Sequence, residues 1–288
     1  MKRFLQLAPL LVASPLAAQS PAQNEYTGVQ EFLSVKRLEH SGFHFKMNRV
    51  SNAGDMNNDG ANDYLIGTPG SNSNAGSAFI ISGKVALKGA PEAIELFRVE
   101  GNPGDGLGSG LCTLGDVNND GYADFAISAS TGQYVNLYSG KDGNVIGTIV
   151  PDSSLVSENY GKSLTTVDLD GDGNIELAVG DPSFSDDGFN HTGSVQMYEL
   201  QTASDSSVLI TTLDRMVGVG ENWFGADLDR VAGGTGTDYL LVGSPRMTAT
   251  PTQNAPSGTV QLLRDNPSTS GYDLQVVLEL KDDSLQNA

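Results

Sequence analysis

Short apolar runs rich in β-branched residues recur along the chain from about residue 43 onward, each bounded by Gly, Asn, Asp or Pro. The first set comprises residues 47–53, 63–67, 77–82 and 93–99. Runs of this length between turn residues predict β-strands, not helices. The second and third runs are nearly continuous in apolar residues, which is typical of strands covered on both faces. The pattern therefore predicts an all-β protein.

Four such sets follow one another and share a common plan. In the first three sets an acidic loop joins the first strand to the second, beginning at Asp55, Asp116 and Asp168. In the fourth set this loop is reduced to residues 233–237. A lone four-stranded sheet cannot bury both of its faces, whereas sheets stacked around an axis can, so the repeat predicts a β-propeller. The second strands end in Gly67-Thr68-Pro69, Ser128-Ala129-Ser130, Gly180-Asp181-Pro182 and Gly243-Ser244-Pro245.

A bulky apolar residue followed by glycine precedes the first strand in three sets: Leu107-Gly108, Tyr160-Gly161 and Phe224-Gly225. With the acidic loop and the Gly-x-Pro ending, this resembles the FG-GAP repeats of integrin α-subunit propellers and of many bacterial exported proteins. The first set departs from the pattern with Phe45-Lys46, and the second lacks the Pro. The resemblance covers about residues 43–280. It implies a β-propeller of four-stranded antiparallel blades at about 42–102, 103–156, 157–219 and 220–284.

The sequence leaves several arrangements of the ring, because propellers of this family usually have seven blades and four are found here. The apolar run 32–38 could serve as a closing strand, but the last blade already has an outer run at 274–280. A small closed ring, an open propeller that pairs with another chain, and a fragment of a longer array all remain. An open array would expose unpaired edges and could self-associate.

The N-terminus has the pattern of an export signal. Lys2 and Arg3 precede the apolar stretch 4–16, which is too short to span a bilayer, and cleavage is expected after Ala18. We therefore predict a signal peptide at 1–18, an N-terminal segment at 19–41 and the propeller at 42–288. No later stretch approaches about 20 apolar residues, so no transmembrane segment is predicted. The expected location is periplasmic, extracellular or at the cell surface.

The charge balance restricts the partners. With 35 acidic against 16 basic residues, the formal net charge of −19 argues against nucleic acid or anionic lipid and fits cation binding. Cys112 is the single cysteine, so no internal disulfide can form. It lies in an apolar run and is predicted to be a buried small hydrophobe.

The three acidic loops read Asp-x-Asn/Asp-x-Asp-Gly-x-x-Asp/Glu. Calcium prefers 6–8 oxygen ligands, and positions 1, 3 and 5 can supply side chains, position 7 a backbone carbonyl and position 9 a carboxylate. We predict three Ca²⁺ sites and none at the shortened fourth loop. The expected ligands are Asp55, Asn57, Asp59, Ala61 and Asp63; Asp116, Asn118, Asp120, Tyr122 and Asp124; and Asp168, Asp170, Asp172, Asn174 and Glu176.

Two other interpretations of these loops are weaker. An EF-hand needs a Glu at position 12, where this chain has Ile66, Ile127 and Val179. Ordinary polar turns would account for one such loop, but three loops in register favour calcium. A loop with many protein oxygens also favours calcium over the smaller magnesium ion.

Known catalytic motifs are missing from the sequence. His40 and His44 have the spacing of a helical zinc pair, but Ser41 stands where the metalloprotease motif needs Glu. We therefore predict that the chain is not an enzyme.

A ligand is expected at the end of the blades opposite the acidic loops, where the turns are long and variable in length. The contact candidates there are Phe184, Phe189, Asn190, His191 and Trp223; alternatively, these residues pack between blades. The leading hypothesis is a secreted or cell-surface calcium-binding adhesion module with a protein or glycan ligand. The alternatives are an exported hydrolase or lyase with its site on the loop face, and a structural fragment of a longer repeat adhesin.

Overall fold

Four separate antiparallel sheets, each of four strands in sequence order, make up the described part of the chain. The computed structural model describes residues 49–84, 95–152, 157–186, 188, 190–220, 222–234, 236–247, 257–265 and 274–281. The apolar run 32–38, both paired histidines near residue 40, Phe45 and Phe189 lie outside these residues. Each sheet is one blade, so the predicted all-β fold of four-stranded antiparallel blades is confirmed.

The strands follow the predicted runs closely. Ser71–Asn74 is a short helical segment between the second and third strands of the first blade, in which Asn72 and Ser73 have positive φ. The first blade contains β1 (Arg49–Gly54), β2 (Asp63–Gly67), β3 (Ser77–Ile81) and β4 (Glu95–Glu100), and the second β5 (Leu107–Gly115), β6 (Asp124–Ala129), β7 (Tyr134–Tyr138) and β8 (Val145–Ile149). The third contains β9 (Ser163–Val167), β10 (Ile175–Asp181), β11 (Ser194–Thr202) and β12 (Val208–Val217), and the fourth β13 (Asp227–Val231), β14 (Tyr239–Met247), β15 (Ser257–Asp265) and β16 (Leu274–Lys281).

The first strand of each blade lies innermost. β1 contacts β5, β5 contacts β9, and β9 contacts β13, and the four strands line a common cavity of about 310 Å³. The loops that leave their C-terminal ends lie on one side of the blades, since Asn58 of the first loop donates to the Gly121 carbonyl of the second, and Val117 of the second loop accepts from Thr202 of the third blade. All three acidic loops are of this kind.

The hydrophobic core lies between neighbouring blades. Leu65 and Ile80 of the first blade pack with Phe125 of the second, and Leu177 of the third blade packs with Leu137 of the second. Val195 of the third blade joins Phe224, Leu240 and Val242 of the fourth in another cluster. Both faces of β6 and β10 are therefore buried, as their continuous apolar sequences predict. Cys112 belongs to the core between the second and third blades and is 6% exposed.

Candidate metal-binding loops and ligand face

The first two acidic loops have nearly identical hydrogen bonds. The Asp55 carboxylate accepts the backbone N–H groups of Asp59 at 2.9 Å and Gly60 at 2.8 Å, and Asn57 Oδ1 accepts the same Asp59 N–H at 3.0 Å. Two side-chain oxygens that share one donor must lie close together inside the turn. In the second loop Asp116 and Asn118 make the equivalent bonds to Asp120, and Asp116 also accepts from Gly121.

Position 6 of the loop requires glycine for a conformational reason. Gly60, Gly121 and Gly173 have φ values of 88°, 90° and 87°, in the left-handed region that side-chain-bearing residues seldom adopt. This positive φ turns the chain back toward the second strand. Ile66, Ile127 and Val179 then fall in β2, β6 and β10, so the loops connect strands of a hairpin.

The acid at position 9 also has a structural role that the sequence analysis missed. Asp63 is fully buried and accepts the N–H groups of Met56 at 2.8 Å and Gly83 at 2.9 Å. Asp124 does the same with Val117 and Gly140. Burial raises the pKa of Asp63, and it raises the pKa of Asp124 to about 6. Each carboxylate thus ties its acidic loop to the residues that directly follow the third strand of its blade.

The third loop brings three carboxylates together. Carboxylate oxygens of Asp168, Asp170 and Glu176 lie within 4.8 Å of one another. Among the described residues, this is the group of at least three His, Cys, Asp or Glu side chains whose ligand atoms lie within that distance. Glu176 is 1% exposed and accepts the Leu169 N–H at 2.8 Å. Burial, together with the charges of Asp170, Asp168 and Asp172, raises the pKa of Glu176 to about 8. A divalent cation among these oxygens would offset both effects, so the residues fit one.

The acidic loops also contact the neighbouring blade. Asn58 Nδ2 of the first loop donates to the Gly121 carbonyl of the second at 3.1 Å. The third loop meets the fourth blade, where Asp168 N–H donates to Asp238 Oδ2 at 3.0 Å and Asp238 N–H donates to the Asp168 carbonyl at 2.6 Å. Arg230 Nε lies 2.7 Å from Asp238 Oδ2. The fourth blade, with its shortened loop, is thereby attached to the third.

The contact candidates at the opposite end are gathered at the junction of the third and fourth blades. The His191 and Trp223 rings meet edge to face with centroids 4.9 Å apart, and both residues are half-buried. Phe184 is buried, and Asn190 beside His191 is exposed. The Nδ1 atom of His191 is buried and has no hydrogen-bond partner among the described residues. His191 and Trp223 therefore combine interblade packing with partial access to solvent.

Arg215, which is not among the contact residues predicted from the sequence, also lies at this junction. Its guanidinium lies 5.0 Å from the centroid of the Phe184 ring, and its Nε donates to Gln196 Oε1 at 3.1 Å. The nearby Asp181 is 1% exposed and accepts the Ser157 N–H at 2.8 Å. Arg215 lies on β12, more than twenty residues from its aromatic neighbour along the chain, and no local motif marks the contact.

A known repeat family matches part of this chain. The sequence profile of the FG-GAP-like repeat family matches residues 116–179, from the second acidic loop into β10. The chain carries an FG-GAP-like repeat. The matched region includes Tyr160-Gly161 and two of the acidic loops, so the family resemblance predicted from the sequence is confirmed.

Several relatives of this FG-GAP repeat chain are named phosphatidylinositol-glycan-specific phospholipase D. The protein from Dictyostelium discoideum is 27% identical over 256 residues, covering 76% of this chain and 27% of the relative. The Homo sapiens protein is 30% identical over 218 residues, covering 66% and 25%. The chain thus spans about a quarter of the length of the curated relatives it matches.

Among solved structures, the exotype rhamnogalacturonan lyase YesX matches with a TM-score of 0.40 and 12% identity over 81% of this chain and 48% of the lyase. Rhamnogalacturonan lyase PL11 from Bacillus licheniformis has a TM-score of 0.41 and 11% identity, over 81% and 51%. Within the described residues, no helix has the length and apolarity needed to cross a bilayer.

The prediction that the chain is not an enzyme is wrong. The relatives at 27–30% identity bear the name of an enzyme. The physical reason for the error is that the blade and loop patterns report on the fold. Catalytic groups are added to a fold by individual residues that need no recognisable motif.

Proposed function

We propose that this chain is an exported, calcium-binding β-propeller module that binds a glycan or protein ligand, with three Ca²⁺ ions held by the acidic loops. The observation that carries the proposal is the cluster of Asp168, Asp170 and Glu176, where carboxylate oxygens are gathered around a buried acid of raised pKa. The first two loops have the same sequence pattern as the third, and each contains the same set of internal hydrogen bonds as the other. Ala61, Tyr122 and Asn174 would add backbone carbonyls.

Thermal unfolding of the purified chain tests the calcium part. Saturating calcium at about 100 times the dissociation constant stabilises a protein by about 2.7 kcal/mol per site. We expect a higher melting temperature in calcium than in EDTA, and a smaller increase for Asp170→Asn. Glu100→Gln, an exposed acid on β4 outside the loops, is the matched control and should keep the full increase. Equal melting temperatures in calcium and EDTA would refute the proposal.

The names of the relatives suggest the ligand class. We propose the glycan part of a phosphatidylinositol-glycan, bound at the end that carries Asn190, His191 and Trp223. The half-buried indole of Trp223 offers an apolar surface for a sugar ring, and the exposed amide of Asn190 offers hydrogen bonds. Adhesion through such glycans at a cell surface follows from the same recognition.

Binding of a fluorescent phosphatidylinositol-glycan headgroup tests this site. We expect Asn190→Ala to weaken binding severalfold. Asn144→Ala, an exposed amide on the turn between β7 and β8 at the acidic-loop end, should leave binding unchanged. Equal binding by both variants would place the ligand elsewhere, and no binding by the wild-type chain would refute the ligand class.

A second candidate is a catalytic part in phospholipase D-type hydrolysis, which the names of the relatives favour. The purified chain is incubated with phosphatidylinositol-glycan-anchored protein, and the release of phosphatidic acid is measured. Release above a heat-denatured control would support a catalytic role. Release no greater than that of the control, with glycan binding intact, would limit the chain to recognition.

A further inference from the structure

The residues beside the acidic loops differ in charge from blade to blade. In each of the first three blades, the residue directly after the acidic loop pairs with a residue of the third strand. These pairs are Tyr64 with Ile81, Phe125 with Tyr138 and Leu177 with Tyr198. The three residues that follow each third-strand partner therefore occupy equivalent places. They are Ser82-Gly83-Lys84, Ser139-Gly140-Lys141 and Glu199-Leu200-Gln201.

In the first blade these residues place a positive charge on the acidic loop. Ser82 Oγ donates to the Asp59 carboxylate at 3.2 Å, and the Lys84 N–H donates to Ser82 Oγ at 3.2 Å. The Lys84 ammonium donates to the backbone carbonyl of Asp59 at 2.9 Å. Asp59 is the predicted calcium ligand at position 5 of the loop. An ammonium group therefore lies beside the first candidate site.

The second blade has a similar arrangement. Ser139 Oγ donates to the Asp120 carboxylate at 3.1 Å, and the Lys141 N–H donates to Ser139 Oγ at 3.2 Å. The Lys141 ammonium lies 5.9 Å from the centroid of the Tyr122 ring. Tyr122 is the predicted backbone ligand at position 7 of this loop. A positive charge therefore accompanies each of the first two candidate sites.

The third blade has the opposite charge at these places. Glu199 stands where the other two blades have serine, and it pairs directly with Glu176, so the two side chains lie on the same face of the sheet. Gln201 stands where the other two blades have lysine, and its amide donates to the Glu199 carboxylate. Compared with the first two loops, the third loop therefore has one more negative and one fewer positive charge beside it.

These charges act directly on a bound divalent cation. An ammonium group repels an ion of charge +2 and a carboxylate attracts it, with an energy that falls as the distance increases. Salt screens exposed charges over about 10 Å at 0.1 M ionic strength, so the effect is largest in dilute salt. A difference of two unit charges about 8 Å from the ion changes its affinity by about tenfold or more in dilute salt.

We infer that the three loops bind calcium with unequal affinity, the third tightly and the first two weakly, because Lys84 and Lys141 oppose the ion. This inference rests on the proposed function, since it requires that the loops bind calcium. The third loop is also the one bonded to the fourth blade, through Asp168 and Asp238. That bond would persist at calcium concentrations that leave the first two loops empty. The first two loops would then respond to changes in calcium concentration.

Titration of the full chain with calcium, in competition with a chromophoric chelator at low ionic strength, measures the affinities. We expect one tight step and two steps that are weaker by about tenfold or more. Asp170→Asn should remove the tight step. Three steps of equal affinity, or loss of a weak step in Asp170→Asn, would overturn the inference and leave calcium binding intact. No calcium binding at any loop would refute the proposed function and the inference with it.

Charge variants test the cause of the difference. Lys84→Gln and Lys141→Gln should each tighten one weak step by about threefold or more, and Gln201→Lys should weaken the tight step. These changes should decrease in concentrated salt, because salt screens exposed charges. Lys162→Gln is the matched control, since Lys162 precedes β9 at the end opposite the acidic loop, and it should leave all three steps unchanged. Unchanged affinities in both Lys84→Gln and Lys141→Gln would overturn the inference.

Discussion

One methyl group, added at two equivalent positions, should lower stability at one position and leave it nearly unchanged at the other. Gly180 and Gly243 occupy the same place in the third and fourth blades, opposite the first residue of the innermost strand. Neither has positive φ, so alanine is compatible with the backbone at both. The two positions differ in what a Cβ would meet, since only Gly180 receives a following blade among the described residues.

The expected change in the free energy of unfolding follows from the distances between an added Cβ and its neighbours. At Gly180 the Cβ would lie 2.2 Å from both Gly225 O and Ser163 Oγ, where ordinary contact begins at about 3.4 Å. The fourth blade would have to move by about 1 Å, and overpacking of this kind costs about 1–3 kcal/mol. Loss of the hydrogen bond from Ser163 to Gly225 adds about 1 kcal/mol. The total is about 2–4 kcal/mol, whereas Gly243→Ala should be neutral or stabilising by about 0.5 kcal/mol.

Urea and thermal unfolding in saturating calcium measure the difference. For a domain of this size, 1 kcal/mol shifts the melting temperature by about 2–4 °C. Gly180→Ala should therefore melt about 5–15 °C below the wild type, and Gly243→Ala within about 2 °C of it. Equal losses in the two variants would show that the fourth blade is covered like the third. No loss in Gly180→Ala would refute the close packing of glycines between blades.

Three further predictions concern single buried groups. Glu176→Gln should stabilise the calcium-free protein by about 1–3 kcal/mol at pH 8, because the substitution replaces a buried acid of raised pKa with a neutral amide that still accepts from the Leu169 N–H. The same substitution should reduce the stabilisation by calcium. A lower stability of the calcium-free variant in urea unfolding would contradict this prediction. Burial raises the pKa of Cys112 to about 12, so iodoacetamide should modify it only in denaturant, as mass spectrometry would show, and rapid native modification would refute its burial. Tyr160→Phe removes the 2.8 Å bond to the Tyr198 hydroxyl and should cost about 1–3 kcal/mol in urea unfolding; wild-type stability would show that the bond contributes nothing.

The strands and loops could be predicted because their signals are local. The acidic loop places its ligand candidates within nine residues, and Gly60 supplies the positive φ that its turn needs. The blade pattern follows from apolar runs of strand length between turn residues. These features required no knowledge of contacts between distant parts of the chain.

The remaining features depend on contacts between residues far apart in sequence. Asp63 accepts from Gly83, twenty residues away, and Arg215 packs on Phe184 from another strand. The pair Asp168 and Asp238 joins two blades across seventy residues. The prediction that the chain is not an enzyme failed for a related reason, since the absence of a motif in the sequence says little about residues that only a fold brings together.

The reciprocal bonds between Asp168 and Asp238 make the fourth blade depend on the metal chemistry of the third. That blade has the shortened loop and no predicted ion, yet its second strand begins against a candidate ligand of the third site. If the third loop binds calcium as proposed, chelation would therefore also loosen the fourth blade, whose own loop is predicted to hold no ion. In a cell, the local calcium concentration would then set how firmly the fourth blade is held.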